Sequence, residues 1–282
     1  MSLLNWQSSK QFSIPLADKL RPNTFDTIFG QEHLLNKEGT INRMLKSSNI
    51  QSIILWGPPG VGKTTIARTL ASQSGSHFEI VSAVTSGLAE LKEIFNAANQ
   101  RKKLQQKTLL MVDEIHRFNR TQQDAFLPYI EDGTIILIGA TTENPSFELN
   151  SALLSRCKVL EVRRLSDEAL KNIMVRAEQL INLKLPLNEE AKNLLINMAD
   201  GDGRYLLNMC EELFAIGNQE LFTSLKLREF LQKRTPLYDK SRDSHYNLIS
   251  ALHKSIRGSD VNASLYWLGV QFQGLMEEKK SI

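Results

Sequence analysis

Short apolar runs alternate with stretches of helical spacing through the first 165 residues. Runs at 53–56, 109–112 and 135–138 are continuous in hydrophobic residues, the pattern of strands buried on both faces, and shorter apolar runs at 78–81 and 159–162 are each interrupted by one glutamate. Between them Leu88, Leu91, Ile94, Phe95 and Ala98 recur every three to four positions, as do Ile41, Met44 and Leu45 ahead of the first run. Such spacing turns one helical face toward a core. Strands alternating with helices predict an α/β fold, a mostly parallel sheet with helices on both faces.

After Arg164 the strand pattern stops. Leu170, Ile173, Met174, Ala177, Leu180 and Ile181 trace an amphipathic helix, Ala191, Leu194, Leu195 and Met198 a second, and a third follows Gly203. The expected organisation is an extension over 1–14, an α/β core over 15–165 and a small all-helical lid over 166–235. Pro236, behind the charged Lys233 and Arg234, marks a linker into a helical segment over 236–282. There Leu248, Ile249, Leu252 and Ile256 keep core spacing, and Leu265, Tyr266 and Trp267 follow.

Composition excludes several classes. With 41% hydrophobic and 23% charged residues in 282, the chain reads as a globular protein of more than one domain. A net charge of +3 is too small for an indiscriminate polycation, so any contact with nucleic acid must rest on local patches. Cys157 and Cys210 are far apart and have no Cys or His at zinc spacing, which argues against a metal site or a disulfide framework. No apolar run approaches the roughly 18 residues of a membrane span, and the expected location is the cytoplasm.

The chemistry is concentrated behind the first strand. Gly57-Pro58-Pro59-Gly60-Val61-Gly62-Lys63-Thr64 is a GxxxxGKT loop that runs on through Thr65 into a helical stretch. Its glycines let successive N–H groups face a polyphosphate at a helix N-terminus, which makes residues 57–65 the expected nucleotide-binding segment. Lys63 is placed to reach the β- and γ-phosphates and the Thr64 hydroxyl to ligate Mg²⁺. The third strand ends in Asp113 and Glu114: Asp113 is the expected Mg²⁺ partner, and Glu114 the base that orients and deprotonates water. The fourth ends in Ala140-Thr141-Thr142, which puts Thr142 at the same edge to sense the γ-phosphate or position the water. His116 makes the segment read Asp-Glu-Ile-His, superficially like a helicase. No second helicase domain accompanies it, so His116 is expected to be a satisfied surface or core residue. Arg117 and Arg120, with Lys102 and Lys103, are basic groups that could touch phosphates.

Together these residues resemble the AAA+ ATPases of the clamp-loader clade. The strings Gly30-Gln-Glu-His-Leu-Leu35, His116-Arg-Phe-Asn119 and Gly139-Ala-Thr-Thr-Glu-Asn-Pro-Ser-Phe-Glu-Leu-Asn-Ser-Ala-Leu-Leu-Ser-Arg156 resemble, more narrowly, the replication-associated recombination protein A family. The resemblance runs from about Pro15 to Trp267. It implies an adenine site at Leu20, Arg21, Pro22 and Phe29, a finger at Arg156 that acts on a neighbouring subunit, and a lid arginine at Arg204 that senses the γ-phosphate. It also implies a DNA-dependent ATPase in replication, recombination and repair, acting on single-stranded gaps or ends and fork junctions and associated with the nucleoid. Single-strand DNA-binding protein and a homotetramer are its implied partners. Family members continue for more than a hundred residues past Trp267, so a naturally shortened assembly domain is expected here. Two alternatives stay open: an ATP-gated adaptor that does not hydrolyse, and a clamp-loader subunit.

Overall fold

The computed structural model describes residues 14–47, 49–216 and 221–234, together with Leu265 and Leu268. The expected extension, apart from Ile14, and the segment 236–282, apart from those two leucines, lie outside the described residues.

The helices α1 (Leu16–Lys19), α2 (Glu32–Leu35) and α3 (Thr40–Lys46) precede β1 (Ile53–Trp56) and the loop-bearing helix α4 (Lys63–Gln73). Then come β2 (His77–Ser82), α5 (Leu88–Lys103), β3 (Thr108–Asp113), the short helices α6 (Arg120–Asp124) and α7 (Leu127–Glu131), and β4 (Ile135–Thr141). Two more short helices, α8 (Pro145–Glu148) and α9 (Ser151–Leu154), lead to β5 (Lys158–Glu161). All pairs are parallel, in the order β2-β3-β4-β1-β5. Parallel neighbours need crossover helices, which cover both faces, and this is why the central strands β1, β3 and β4 are apolar without alternation.

The side chains of β1 divide between two layers. Ile53 and Leu55 join Ile41, Ile66, Leu70, Leu109 and Met111 on one face, whereas Ile54 joins Leu91, Phe95, Leu110, Val112 and Phe126 on the other. Phe95 anchors the second layer, stacked on Tyr129 at 4.2 Å and edge-on to Phe126 at 5.5 Å between centroids. Because Trp56 registers with Thr141 and Val112 with Gly139, the ends of β1, β3 and β4 arrive at one sheet edge. That edge is where a doubly wound sheet binds its ligand.

The lid follows as α10 (Asp167–Ile181), α11 (Glu189–Ala199) and α12 (Gly203–Ile216). Ser166 and Asn188 cap the first two through backbone N–H groups, and Asn182 and Asp200, both at positive φ, end them. A single parallel bridge, Leu187 to Phe222, adds strand-like pairing where the hydrophobic pattern announces only helix. Two compact units divide the chain, the first reaching Ser224 and so holding sheet and lid together. The second begins at Leu225, and most of α13 (Ser224–Arg234) belongs to it, with Leu227 and Leu231 buried. Among the described residues no helix is long and apolar enough to cross a membrane. Cys157 and Cys210 are free thiols, each pushed up to about 12 by burial and therefore unreactive near neutrality.

Candidate functional site

The loop after β1 is held from both sides before it meets any ligand. Gly57 N–H donates to the Thr141 carbonyl at 3.1 Å, and Val162 N–H donates to Trp56 O at 2.7 Å, so β4 and β5 fix the point where the chain leaves the sheet. Gly60 and Gly62 then take φ of 69° and 100°, which side-chain-bearing residues rarely adopt. Gly62 leaves the N-terminus of α4 without a capping side chain, and its orphan N–H groups look into the loop.

Lys63 is buried, and its Nζ donates to the carbonyls of Gly57 and Pro58, each at 2.7 Å. Burial pulls its pKa below the ordinary lysine value, while the carboxylates of Glu114 and Asp113 pull the other way. A cavity of about 190 Å³ opens in front of it. Gly60, Val61, Gly62, Thr64 and Thr65 line its floor, and Asp113 and Glu114 line one wall. At another part Leu20, Arg21, Pro22 and Phe29 gather, the residues expected around adenine. Arg21 also pairs with Asp18 and holds that carboxyl below its usual range. Pro59 lines the cavity too, whereas Gly57 and Pro58 act through Lys63.

The lid supplies the rest. Arg204, one residue into α12, faces the cavity together with Leu207 from the same helix. Gly203 N–H donates to Gly60 O at 3.1 Å, tying the start of α12 to the phosphate loop. Asp202 caps α12 through Tyr205 N–H at 2.8 Å and lies so close to Gly60 that a Cβ there would strike its carboxylate. From α10, Arg176 reaches the cavity and donates to Thr27 O at 2.9 Å. Sequence reasoning missed Asp202 and Arg176. The Asp-Gly-Arg order at a helix start was a usable signal for the first; Arg176 is one cation on an amphipathic helix and carries no local signal.

Behind Glu114 lies a network the sequence did not reveal. Thr142 Oγ1 donates to Glu114 Oε2 at 3.4 Å. His116 is a satisfied residue with its ring 6% exposed, and one of its partners is Glu114. Its Nδ1 lies 3.3 Å from Glu114 Oε2 and 2.9 Å from Thr141 Oγ1.

The remaining predicted residues sit elsewhere. Arg156 is exposed and outside the cavity, its guanidinium on Glu131 and on Ala152 O at 2.8 Å. Arg117 and Arg120 are exposed beyond the Asp113–Glu114 edge. Lys102 spends its ammonium on Asp132 O at 2.6 Å and on Thr134. It and Lys103 end α5, which runs back from the end of β2 toward the start of β3, so both lie at the edge opposite the cavity.

Among the described residues no cluster of three or more His, Cys, Asp or Glu could hold a metal by itself. One hydroxyl, Thr64, and one carboxylate, Asp113, fit Mg²⁺, a hard cation that keeps several waters and shares its shell with substrate phosphates.

Comparison with known proteins follows the same outline. Residues 53–165 match the model of the ATPase family associated with various cellular activities (AAA), and residues 181–257 match that of the AAA C-terminal domain. Replication-associated recombination protein A of Haemophilus influenzae is 44% identical over 95% of this chain, and that of Escherichia coli 43%. ATPase WRNIP1 of Dictyostelium discoideum is 40% identical over 95% of this chain and 33% of its own length. The chain spans 62% of the length of the two bacterial relatives. Among solved structures, the Thermotoga maritima RuvB Holliday junction branch migration motor superposes with a TM-score of 0.65 and 26% identity, over 89% of this chain and 85% of that one.

Proposed function

Because this chain belongs to the replication-associated recombination protein A family of AAA ATPases, we propose that it binds Mg·ATP in the cavity between sheet and lid and hydrolyses it in response to DNA. The convergence of Lys63, Thr64, Asp113, Glu114 and Arg204 on one cavity carries this reading. Main-chain N–H groups of residues 60–65 cradle the phosphates, and Lys63 trades its two loop carbonyls for phosphate oxygens. Leu20, Arg21, Pro22 and Phe29 enclose the base. Mg²⁺, held by Thr64 and Asp113, would neutralise phosphate charge. Glu114 orients a water in line with the γ-phosphorus and accepts its proton, while Thr142 steadies the carboxylate. Arg204 draws the lid onto the γ-phosphate and couples nucleotide state to lid angle.

Arg156 completes the site of a neighbouring copy rather than its own. This part of the proposal is supported by the placement of Arg156 outside the cavity on an exposed surface. It implies a homo-oligomer, for which the resemblance suggests a tetramer. Arg117 and Arg120 are assigned to DNA phosphates, and Lys102 is left to its contacts with Asp132 and Thr134. Action at single-stranded gaps and fork junctions, contact with single-strand DNA-binding protein and a place on the nucleoid extend the names of the relatives to this chain. Phosphate release measured with and without gapped duplex tests the proposal. The expected result is stimulation by DNA that Arg117→Glu/Arg120→Glu abolishes, with a salt slope of DNA binding reduced by about 1 per lost contact. No response to any DNA would contradict it.

One observation favours a second reading. Arg156 already bonds Glu131 of its own chain. An arginine kept there leaves an ATP-gated adaptor that binds without turnover, and light scattering in ATP separates the two: a strict monomer that releases no phosphate supports the adaptor. A clamp-loader subunit would instead copurify with different subunits.

A further inference from the structure

The 3₁₀ turn after β3 folds His116 back under the carboxylate that activates water. Ile115 is fully buried and packs where Gly139 leaves room on β4, since a Cβ there would come within 2.9 Å of its Cδ1. Arg117 N–H closes the turn on Glu114 O at 2.8 Å. With Glu114 at φ 53°, the side chains of Glu114 and His116 meet at the ends of β3 and β4 instead of diverging as strand neighbours would.

Which proton His116 carries follows from its neighbours. The Thr141 hydroxyl has one proton and two acceptor positions. The Glu143 carbonyl, 3.2 Å away, can only accept and takes that proton, while Glu143 N–H donates to Oγ1 at 3.0 Å. The remaining acceptor position faces His116 Nδ1 at 2.9 Å. A carboxylate oxygen at 3.3 Å also demands a donor at that nitrogen. Nδ1 therefore carries hydrogen, shared between Thr141 Oγ1 and Glu114 Oε2. Thr142 and His116 both address Oε2, which leaves Oε1 to accept from water.

We propose that His116 is a positioning residue for ATP hydrolysis: its Nδ1–H, fixed by Thr141, clamps Glu114 Oε2 so that Oε1 is aimed at the attacking water. The inference rests on the assignment of Glu114 as base. His116 itself moves no proton and touches no nucleotide.

Steady-state phosphate release by the whole chain with Mg·ATP, together with binding of a fluorescent ATP analogue, tests it. His116→Phe keeps a ring without a donor, whereas His116→Asn restores an N–H near the position of Nδ1. The expected result is a fall in kcat of about 10- to 100-fold for Phe, with analogue affinity within about threefold of the parent by the same reasoning. Asn is expected to recover most of kcat. Equal kcat in the Phe variant and the parent overturns the proposal, and so does an Asn variant that melts like the parent yet turns over no better than Phe. Glu114→Gln tells this failure from that of its premise. If Glu114→Gln hydrolyses normally, the base assignment falls; if it is inactive while His116→Phe is not, only the role of His116 falls.

Discussion

Lys63 is held by two carbonyls, and burial lowers its pKa despite the opposing pull of Glu114, Asp113 and Asp202. Its ammonium is therefore costly to keep in the folded chain without a polyanion. Lys63→Met should melt no lower than the parent in the absence of nucleotide. It should also lose the stabilisation that Mg·ATP gives the parent, about 2.7 kcal/mol at a hundred times Kd; scanning fluorimetry checks both. A nucleotide-dependent shift as large as the parent's would contradict the role given to Lys63. At this scale the phosphate loop, Asp113 and Glu114 were legible because each belongs to a contiguous string whose chemistry is local. The partnership of His116 with Thr141 was not, because those residues lie 25 positions apart and meet only through the register of β3 with β4. Arg176 was hidden for the same reason, being 149 positions from Thr27.

Strands were easier to read than short helices. The run at 53–56 is β1 itself, and the run at 135–138 is the first part of a β4 that continues to Thr141. The expected 159–162 is shifted by one from β5, an edge strand whose Val159 is exposed and whose pattern is correspondingly weak. Helices α6 to α9 have four or five residues each, too few for a 3.6-residue period to show. Between elements, the informative contact is α12 on the phosphate loop. Gly60 must hold a positive φ and also admit Asp202, so Gly60→Ala combines backbone strain of about 1–2 kcal/mol with a clash against the cap of α12. Chemical denaturation should show a loss of at least that size, and a variant as stable as the parent would mean that α12 does not seat on the loop as described.

Across the whole molecule, the parallel sheet and helical lid followed from the alternation of patterns. Family membership followed from strings such as 139–156, which no general fold rule produces. What a neighbouring copy contributes is a property of two chains and cannot be read from one. Arg156→Ala should leave Mg·ATP affinity nearly unchanged but lower turnover by about 10³- to 10⁵-fold, as expected of a finger supplied in trans. Mixing it with Glu114→Gln should restore part of the activity, because each variant supplies what the other lacks. Turnover that is insensitive to Arg156→Ala would remove the reason to invoke an assembly in hydrolysis.

The most direct test is a calorimetric titration of Mg·ATP into the chain. One nucleotide bound per chain, with saturable heat, is the predicted result. A flat titration at protein concentrations well above any plausible dissociation constant would contradict the assignment of the cavity, and with it the roles of Lys63, Glu114 and His116.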